Sequence, residues 1–192
     1  MDFYDNLTIR CPNDSALGTV MADGTFAALL VLAGLADMSF NHCGTDTGCL
    51  GVSEDTPRLS FAIGSWVDRN ADEQLEAYLR YDFARHEGPF GFAAGASVAE
   101  EGEVWAGFGA TYDLEIGDSG FFTELHFMPG LYADNGGFDL GGAVIFRSGI
   151  EFGYEAANGW RFGVGYDHRS NGGLYDQNPG VETVHLRMSV AF

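Results

Sequence analysis

From Leu59 to the C-terminal Phe192 the chain alternates between apolar and non-apolar positions with a period of two. Successive side chains on a β-strand point to opposite faces, so this pattern predicts strands with one greasy and one polar side. The first run sets Leu59, Phe61 and Ile63 against Ser60, Ala62 and Gly64. The second sets Leu75, Ala77, Leu79, Tyr81 and Phe83 against Gln74, Glu76, Tyr78, Arg80 and Asp82. Phe90 to Val98 and Val104 to Leu114 continue the pattern on either side of a tight Glu100-Glu101-Gly102 turn. A fifth run spans Phe121 to Phe127, and a sixth carries Phe146, Ser148, Ile150, Phe152 and Tyr154 in one phase. Asn158-Gly159, a favoured tight-hairpin dipeptide, leads into a seventh run from Trp160 to Ser170. The eighth places Val184, Leu186, Met188, Val190 and Phe192 opposite His185, Arg187, Ser189 and Ala191.

Eight strands with this polarity exclude an ordinary soluble sandwich. The non-apolar face mixes glycine with Glu76, Arg80, Glu124, Arg147, Glu151, Arg161 and Arg187. An eight-stranded barrel has an interior just wide enough for side chains, which suits glycines and Arg/Glu pairs. The apolar face then turns outward to lipid, as in outer-membrane barrels. The connections agree. With the N-terminus taken as periplasmic, the inner turns are short (Ala84 to Pro89, Glu115 to Gly120, Ala156 to Gly159) and the outer loops include Pro129 to Gly142 and Asn171 to Gly180. The expected fold is all-β: an eight-stranded antiparallel transmembrane barrel over residues 56–192, with a terminal hairpin over 160–192. Residues 1–55 form a separate N-terminal segment, read as an export signal or a disordered extension.

Charge narrows the function. All nine basic residues are arginine, and 28 acidic residues bring the net charge to −19. Nucleic-acid binding, which draws its affinity from neutralising phosphates, is excluded by that balance. Phe26 to Leu35 is apolar over about the length of a signal-peptide core, although Asp2, Asp5, Asp14 and Asp23 precede it against the single Arg10. An export signal and a short helix are both compatible with it. The three cysteines, Cys11, Cys43 and Cys49, all lie in this segment. Cys43 and Cys49 suit a small-loop disulfide that leaves Cys11 over, and equally suit reduced thiols; no histidine accompanies them at zinc-site spacing.

The candidate chemistry lies at the end of the seventh strand. His168 and Ser170 are in phase with Trp160, Phe162, Val164 and Tyr166, and therefore share the outward face. Glu182, past an Asn178-Pro179-Gly180 turn, is in phase with Val184 to Phe192 on the same face. A carboxylate facing hydrocarbon is costly unless paired. Nucleophile, base and orienting carboxylate thus meet across one hairpin. Asp167 and Arg169 fall on the lumen side and are expected to pair with each other; His126 and His185 are expected to fill the lumen, with His86 in an inner turn.

The run Tyr166-Asp167-His168-Arg169-Ser170-Asn171-Gly172-Gly173-Leu174, followed by Asn178-Pro179-Gly180 and Glu182, resembles the signature of the outer-membrane lipid A 3-O-deacylases, the PagL family. Close similarity covers Phe146 to Phe192, while Leu59 to Tyr132 matches in barrel pattern alone. Gly172 stands where members often carry Ala. The resemblance implies a serine esterase in the bacterial outer membrane, with its site toward the outer leaflet, that hydrolyses the 3-hydroxyacyl ester at position 3 of lipid A. Ser170 would be the nucleophile, His168 the base and Glu182 the orienting carboxylate. Backbone N–H groups at Asn171 and Gly173 would form the oxyanion hole. It implies neither metal nor organic cofactor, and a lipopolysaccharide substrate; a homodimer is left open. The competing readings are an inert small barrel in adhesion or envelope integrity, which gives no reason for Glu182 to face lipid, and a lipid acyltransferase barrel.

Overall fold

A computed structural model describes residues 24–67 and 71–192. Ten strands form: β1 (Val52–Glu54), β2 (Arg58–Trp66), β3 (Leu75–Asp82), β4 (Arg85–Glu87), β5 (Phe90–Ala99), β6 (Val104–Glu115), β7 (Phe121–Ala133), β8 (Val144–Glu155), β9 (Trp160–Ser170) and β10 (Val181–Ala191). Eight of them close into an antiparallel barrel in the order β2-β3-β5-β6-β7-β8-β9-β10, with β10 returning to β2. Closure is obligatory for strands in hydrocarbon, where no water is present to satisfy an open edge. These eight are the strands expected from the alternation. β1 and β4 form a small extra ladder, Val52↔Glu87 to Glu54↔Arg85, outside the ring.

The strand phase is also as expected. Phe61, Leu79, Phe108, Phe152, Phe162, Val164, Leu186 and Met188 are exposed on the outer surface. The inward face buries Arg80, Glu124, Arg147, Glu151, Asp167 and Arg169. One boundary moves. The expected outer loop from Pro129 to Gly142 shrinks, because β7 continues through Pro129 to Ala133. Pro129 has no N–H to give to a ladder. The β6–β7 register skips the positions beside it, running from Gly107↔Gly130 directly to Ala110↔Phe127, while Pro129 still faces Phe146 on β8. The proline leaves a gap in one ladder without ending the strand.

The lumen is crossed by a network of buried ion pairs. Glu124 receives Arg80 at 2.5 and 2.7 Å and Arg187 at 2.8 Å. Arg187 also meets Glu151 at 2.5 Å. Nearer the loop end, Arg147 bridges Glu76 at 2.8 Å and Asp167 at 2.5 Å, and its guanidinium lies 3.9 Å from the Tyr78 ring centre. The expected pair between Asp167 and Arg169 does not form. Asp167 takes Arg147, with His126 and His185 at 3.3 and 3.6 Å, while Arg169 reaches Glu76 at 2.5 Å. Spacing alone does not forbid such a pair, since Arg80 does pair with Asp82 two positions along β3; Asp167 and Arg169 each take a partner from another strand instead. Gly163 and Gly165 make room for this packing, since a Cβ there would run into Glu151 and His185. Above the ions, Trp66, Trp105, Met128, Tyr132, Ile145 and Val181 close the loop end, with Leu140 folded in from the β7–β8 loop.

The N-terminal segment contains a helix, α1 (Thr25–Asp37), with a π-helical extension over Met38–His42. Helix α1 lies on the outer barrel surface, where Leu30 packs with Tyr112 and Leu125 and is flanked by Phe90, Phe127 and Ile150. Cys43 and Cys49 are disulfide-bonded; Cys11 lies outside the described residues. The chain then runs along the short-turn end of the barrel, with Gly88 N–H donating to Gly51 O at 3.0 Å, before entering β2.

Removing one partner of a buried ion network leaves the others desolvated and unpaired, at a cost of about 3–5 kcal/mol. Glu124→Leu removes the carboxylate shared by Arg80 and Arg187, leaving the charges of those two arginines, Asp82 and Glu151 out of balance. It is therefore expected to lower unfolding stability by that amount, read from urea unfolding in detergent. The exposed pair Arg85–Glu87 serves as contrast, because its removal should cost less than about 1 kcal/mol.

Candidate active site

The site is assembled by strand register. β9 and β10 pair so that His168 stands directly opposite Glu182. Both point outward, in the phase of the exposed Val164 and Val184. Nδ1–H of His168 donates to Glu182 Oε1 at 3.2 Å. The eleven residues between Ser170 and Glu182 therefore do bring the carboxylate back to the imidazole. With Nδ1 turned to the carboxylate, Nε2 is the nitrogen left for the other side of the ring. Ser170 follows two positions later at the last residue of β9 and on the same face. Same-face neighbours on a strand have Cα atoms about 7 Å apart, a gap that a hydroxymethyl and an imidazole leaning together can span.

The surroundings are more enclosed than those of the rest of the outer wall. His168 is 4% exposed and Ser170 5%, whereas Leu186 and Phe152 on the same surface are 65% and 59% exposed. Gly180 backs onto the imidazole so closely that a Cβ there would lie 2.6 Å from His168 Cε1. On the β8 side Ser170 faces Phe146, which stacks on Phe127 at 5.5 Å, and His168 faces Ser148. The cross-strand row is therefore Phe127–Ser148–His168–Glu182 over β7 to β10. Ser148 is a buried polar neighbour that the sequence reading placed on the apolar face without singling out. Its one signal is a hydroxyl in the outward phase of the sixth strand.

Asn171 organises the loop that follows. It is fully buried. Its Nδ2 donates to Leu140 O at 2.9 Å and Gln177 O at 2.6 Å, and its Oδ1 accepts from Gly173 N–H at 2.9 Å. Its own N–H donates to Asn178 Oδ1 at 2.9 Å. Gly172 and Gly173 adopt φ of 62° and 78°, the left-handed region that glycine enters without steric penalty. The two amides expected to line an oxyanion hole are thus held by asparagine side chains in this arrangement. Among the described residues no group of His, Cys, Asp and Glu is arranged to hold a metal.

The closed eight-stranded barrel agrees with comparison to known proteins. No curated protein matches the chain in sequence. Among solved structures, the crystal structure of the outer membrane enzyme PagL superposes with a TM-score of 0.59 at 20% identity, over 70% of this chain and 99% of that one. Neisserial surface protein A follows with a TM-score of 0.52 at 14% identity, covering 74% of this chain and 99% of its own. A de novo designed transmembrane β-barrel gives 0.53 at 10% identity, over 72% and 99% of the two chains. These likenesses establish the barrel. The family model described as lipid A 3-O-deacylase (PagL) matches residues 55–191, which is the whole barrel, and the chain belongs to that family of outer-membrane lipid A deacylases.

Proposed function

We propose that the protein hydrolyses the ester-linked 3-hydroxyacyl chain at position 3 of lipid A, with Ser170 as nucleophile, His168 as general base and Glu182 as orienting carboxylate. The observation that carries this reading is the 3.2 Å contact between His168 Nδ1 and Glu182 Oε1 on the lipid-facing side of the β9–β10 hairpin. A carboxylate on that surface is tolerated only when paired, and the pairing fixes the tautomer that leaves Nε2 to take a proton.

In the first half-reaction Ser170 Oγ attacks the acyl carbonyl while His168 Nε2 removes its proton. The tetrahedral intermediate collapses as the same imidazolium returns the proton to the departing sugar oxygen. Glu182 stabilises the imidazolium without itself taking the proton. Water then attacks the acyl-enzyme with His168 again as base, releasing the fatty acid. This is carboxylic ester hydrolysis, and its steps need only side chains, backbone amides and water.

The oxyanion hole is proposed at the N–H groups of Asn171 and Gly173. Both are held by carboxamide oxygens in the resting arrangement. A developing oxyanion is a charged acceptor, and charge-assisted hydrogen bonds are about twice as strong as neutral ones, so it displaces the two carboxamides. The hole then forms as the intermediate forms, which stabilises the transition state more than the ground state. The loop end of the barrel faces outward in this reading, so the site meets the outer leaflet where lipid A resides.

The test is expression in a lipopolysaccharide-bearing host, with mass spectrometry of the extracted lipid A. Wild type is expected to remove one 3-hydroxyacyl chain. Ser170→Ala and His168→Ala should lower the rate by about 10⁴-fold or more, and Glu182→Ala by less. Loss of the chain in cells carrying folded Ser170→Ala would refute the mechanism. A second expectation concerns the loop. Asn171→Ala leaves the carbonyls of Leu140 and Gln177 and the Gly173 N–H without their partner, at about 1–3 kcal/mol for each group that stays buried. It should abolish hydrogen-exchange protection across residues 171–180 while the barrel strands stay protected.

A further inference from the structure

The row of outward residues next to the catalytic one, toward the bilayer centre, is Leu125–Ile150–Tyr166–Val184 across β7 to β10. It lies two residues, about 7 Å along the strands, from Phe127–Ser148–His168–Glu182. Any acyl chain that descends into the bilayer from an ester held at Ser170 must cross this row. Helix α1 already covers three of its four members. Leu30 is packed with Leu125 and bordered by Ile150, and the Phe26 ring lies 5.9 Å from that of Tyr166. Tyr112 and Leu125, outward-facing residues, are reduced to 6% and 8% exposure. Val184 on the β10 side remains exposed.

Three features mark the helix as a detachable occupant. First, it lies outside the barrel matched to the family, which begins at residue 55. Second, it is apolar all round: Leu30 is buried against the barrel while Leu29, Val31, Leu32 and Leu35 stay exposed. Thr25–His42 is one 18-residue apolar stretch, roughly 27 Å long at 1.5 Å per residue, close to the ~30 Å hydrocarbon thickness. Third, lipid tails are as apolar as leucine, so no hydrophobic driving force holds a helix to a barrel within a bilayer. The helix and a lipid acyl chain compete for the same surface on nearly equal terms. The connection through the Cys43–Cys49 loop and the β1–β4 ladder keeps the helix at high effective concentration.

We infer that the outer surface formed by Phe127, Ile150 and Tyr166 is the acyl-chain subsite of lipid A, and that α1 is its tethered intramolecular occupant, which must leave for substrate to enter. This rests on the deacylase reading above and assigns that site its regulation. The surface concavity lined by Phe61, Phe152, Phe162, Leu186 and Met188 is less suited to the scissile chain. Phe162 lies eight residues from Ser170 along β9, roughly 26 Å at 3.3 Å per residue, beyond the depth of one leaflet.

Binding of lipid A by the full-length Ser170→Ala protein, in non-ionic detergent, tests the subsite without turnover. Gly34 abuts the Phe90 ring, far from the catalytic residues, and a side chain there collides with it. Gly34→Leu is expected to lift the helix and tighten lipid A binding several-fold. Gly34→Cys with Phe90→Cys, in a Cys11→Ala background, fastens the helix down. The bridged form is expected to bind at least tenfold more weakly than its reduced form, with the Cys11→Ala parent under the same reductant as control. With Ser170 restored, kcat/KM should follow the same order. Equal binding by bridged and reduced forms, weaker binding by a folded Gly34→Leu barrel, or failure of the bridge to form would each overturn the proposal. The deacylase assignment fails separately, if binding responds to the bridge but no Ser170-dependent hydrolysis occurs.

Discussion

Hydrocarbon offers the backbone no hydrogen-bond partner, and the remaining features of this molecule follow from that one condition. Strand N–H and C=O groups within the hydrocarbon must be satisfied by neighbouring strands, so the sheet closes β10 onto β2. Closure at eight strands fixes a lumen just wide enough for side chains to fill. The polar half of the alternation is therefore crowded into a space where every charge needs a partner. The result is the Arg80–Glu124–Arg187–Glu151 and Arg169–Glu76–Arg147–Asp167 chains. The fold gives the protein an interior occupied by structure and an exterior that is the only surface left for chemistry.

That exterior poses an electrostatic problem, which the β9–β10 register solves. His168 and Glu182 are opposite one another because the hairpin pairs Val181 with Arg169 and continues without a slip. A one-residue shift would send Glu182 into the lumen and His168 away from it. The loop of residues 171–180 sets that register, and it is tied to the barrel mouth by the buried Asn171 side chain, which bonds both to its own loop and to Leu140 of the neighbouring one. Loop stability and the His168–Glu182 geometry are thus one property.

Much of this was legible in the sequence, since a period of two carries both strand existence and facing. The phase of Tyr166, His168 and Ser170 and that of Glu182 and Val184 placed three polar groups on one outward patch without further information. Pairings across the lumen were not legible. Asp167 prefers Arg147 to its strand neighbour Arg169, and no local pattern encodes which residues face each other across a barrel. The Gly- and Asp-rich stretch from Pro129 to Gly142 read as a loop, yet β7 runs on through Pro129, whose missing donor leaves only a gap in the β6–β7 ladder. The role of Asn171 as a hub depends on Leu140, thirty-one residues away. The position of α1 was hidden for the opposite reason: a helix apolar on every side carries no mark of which side it will present.

The filled lumen and the outward-facing pair set the dimensionality of the reaction. Among the described residues, Trp66, Trp105 and Tyr132 close the loop end of the barrel, which leaves a lipid no way in or out through the lumen. With the proposed site on the outer wall, encounter and release both take place by sideways diffusion within one leaflet. The concentration that governs turnover is then the mole fraction of lipid A per unit area of membrane. Dilution of cells or vesicles in buffer leaves it unchanged, whereas dilution of the leaflet with another lipid lowers it.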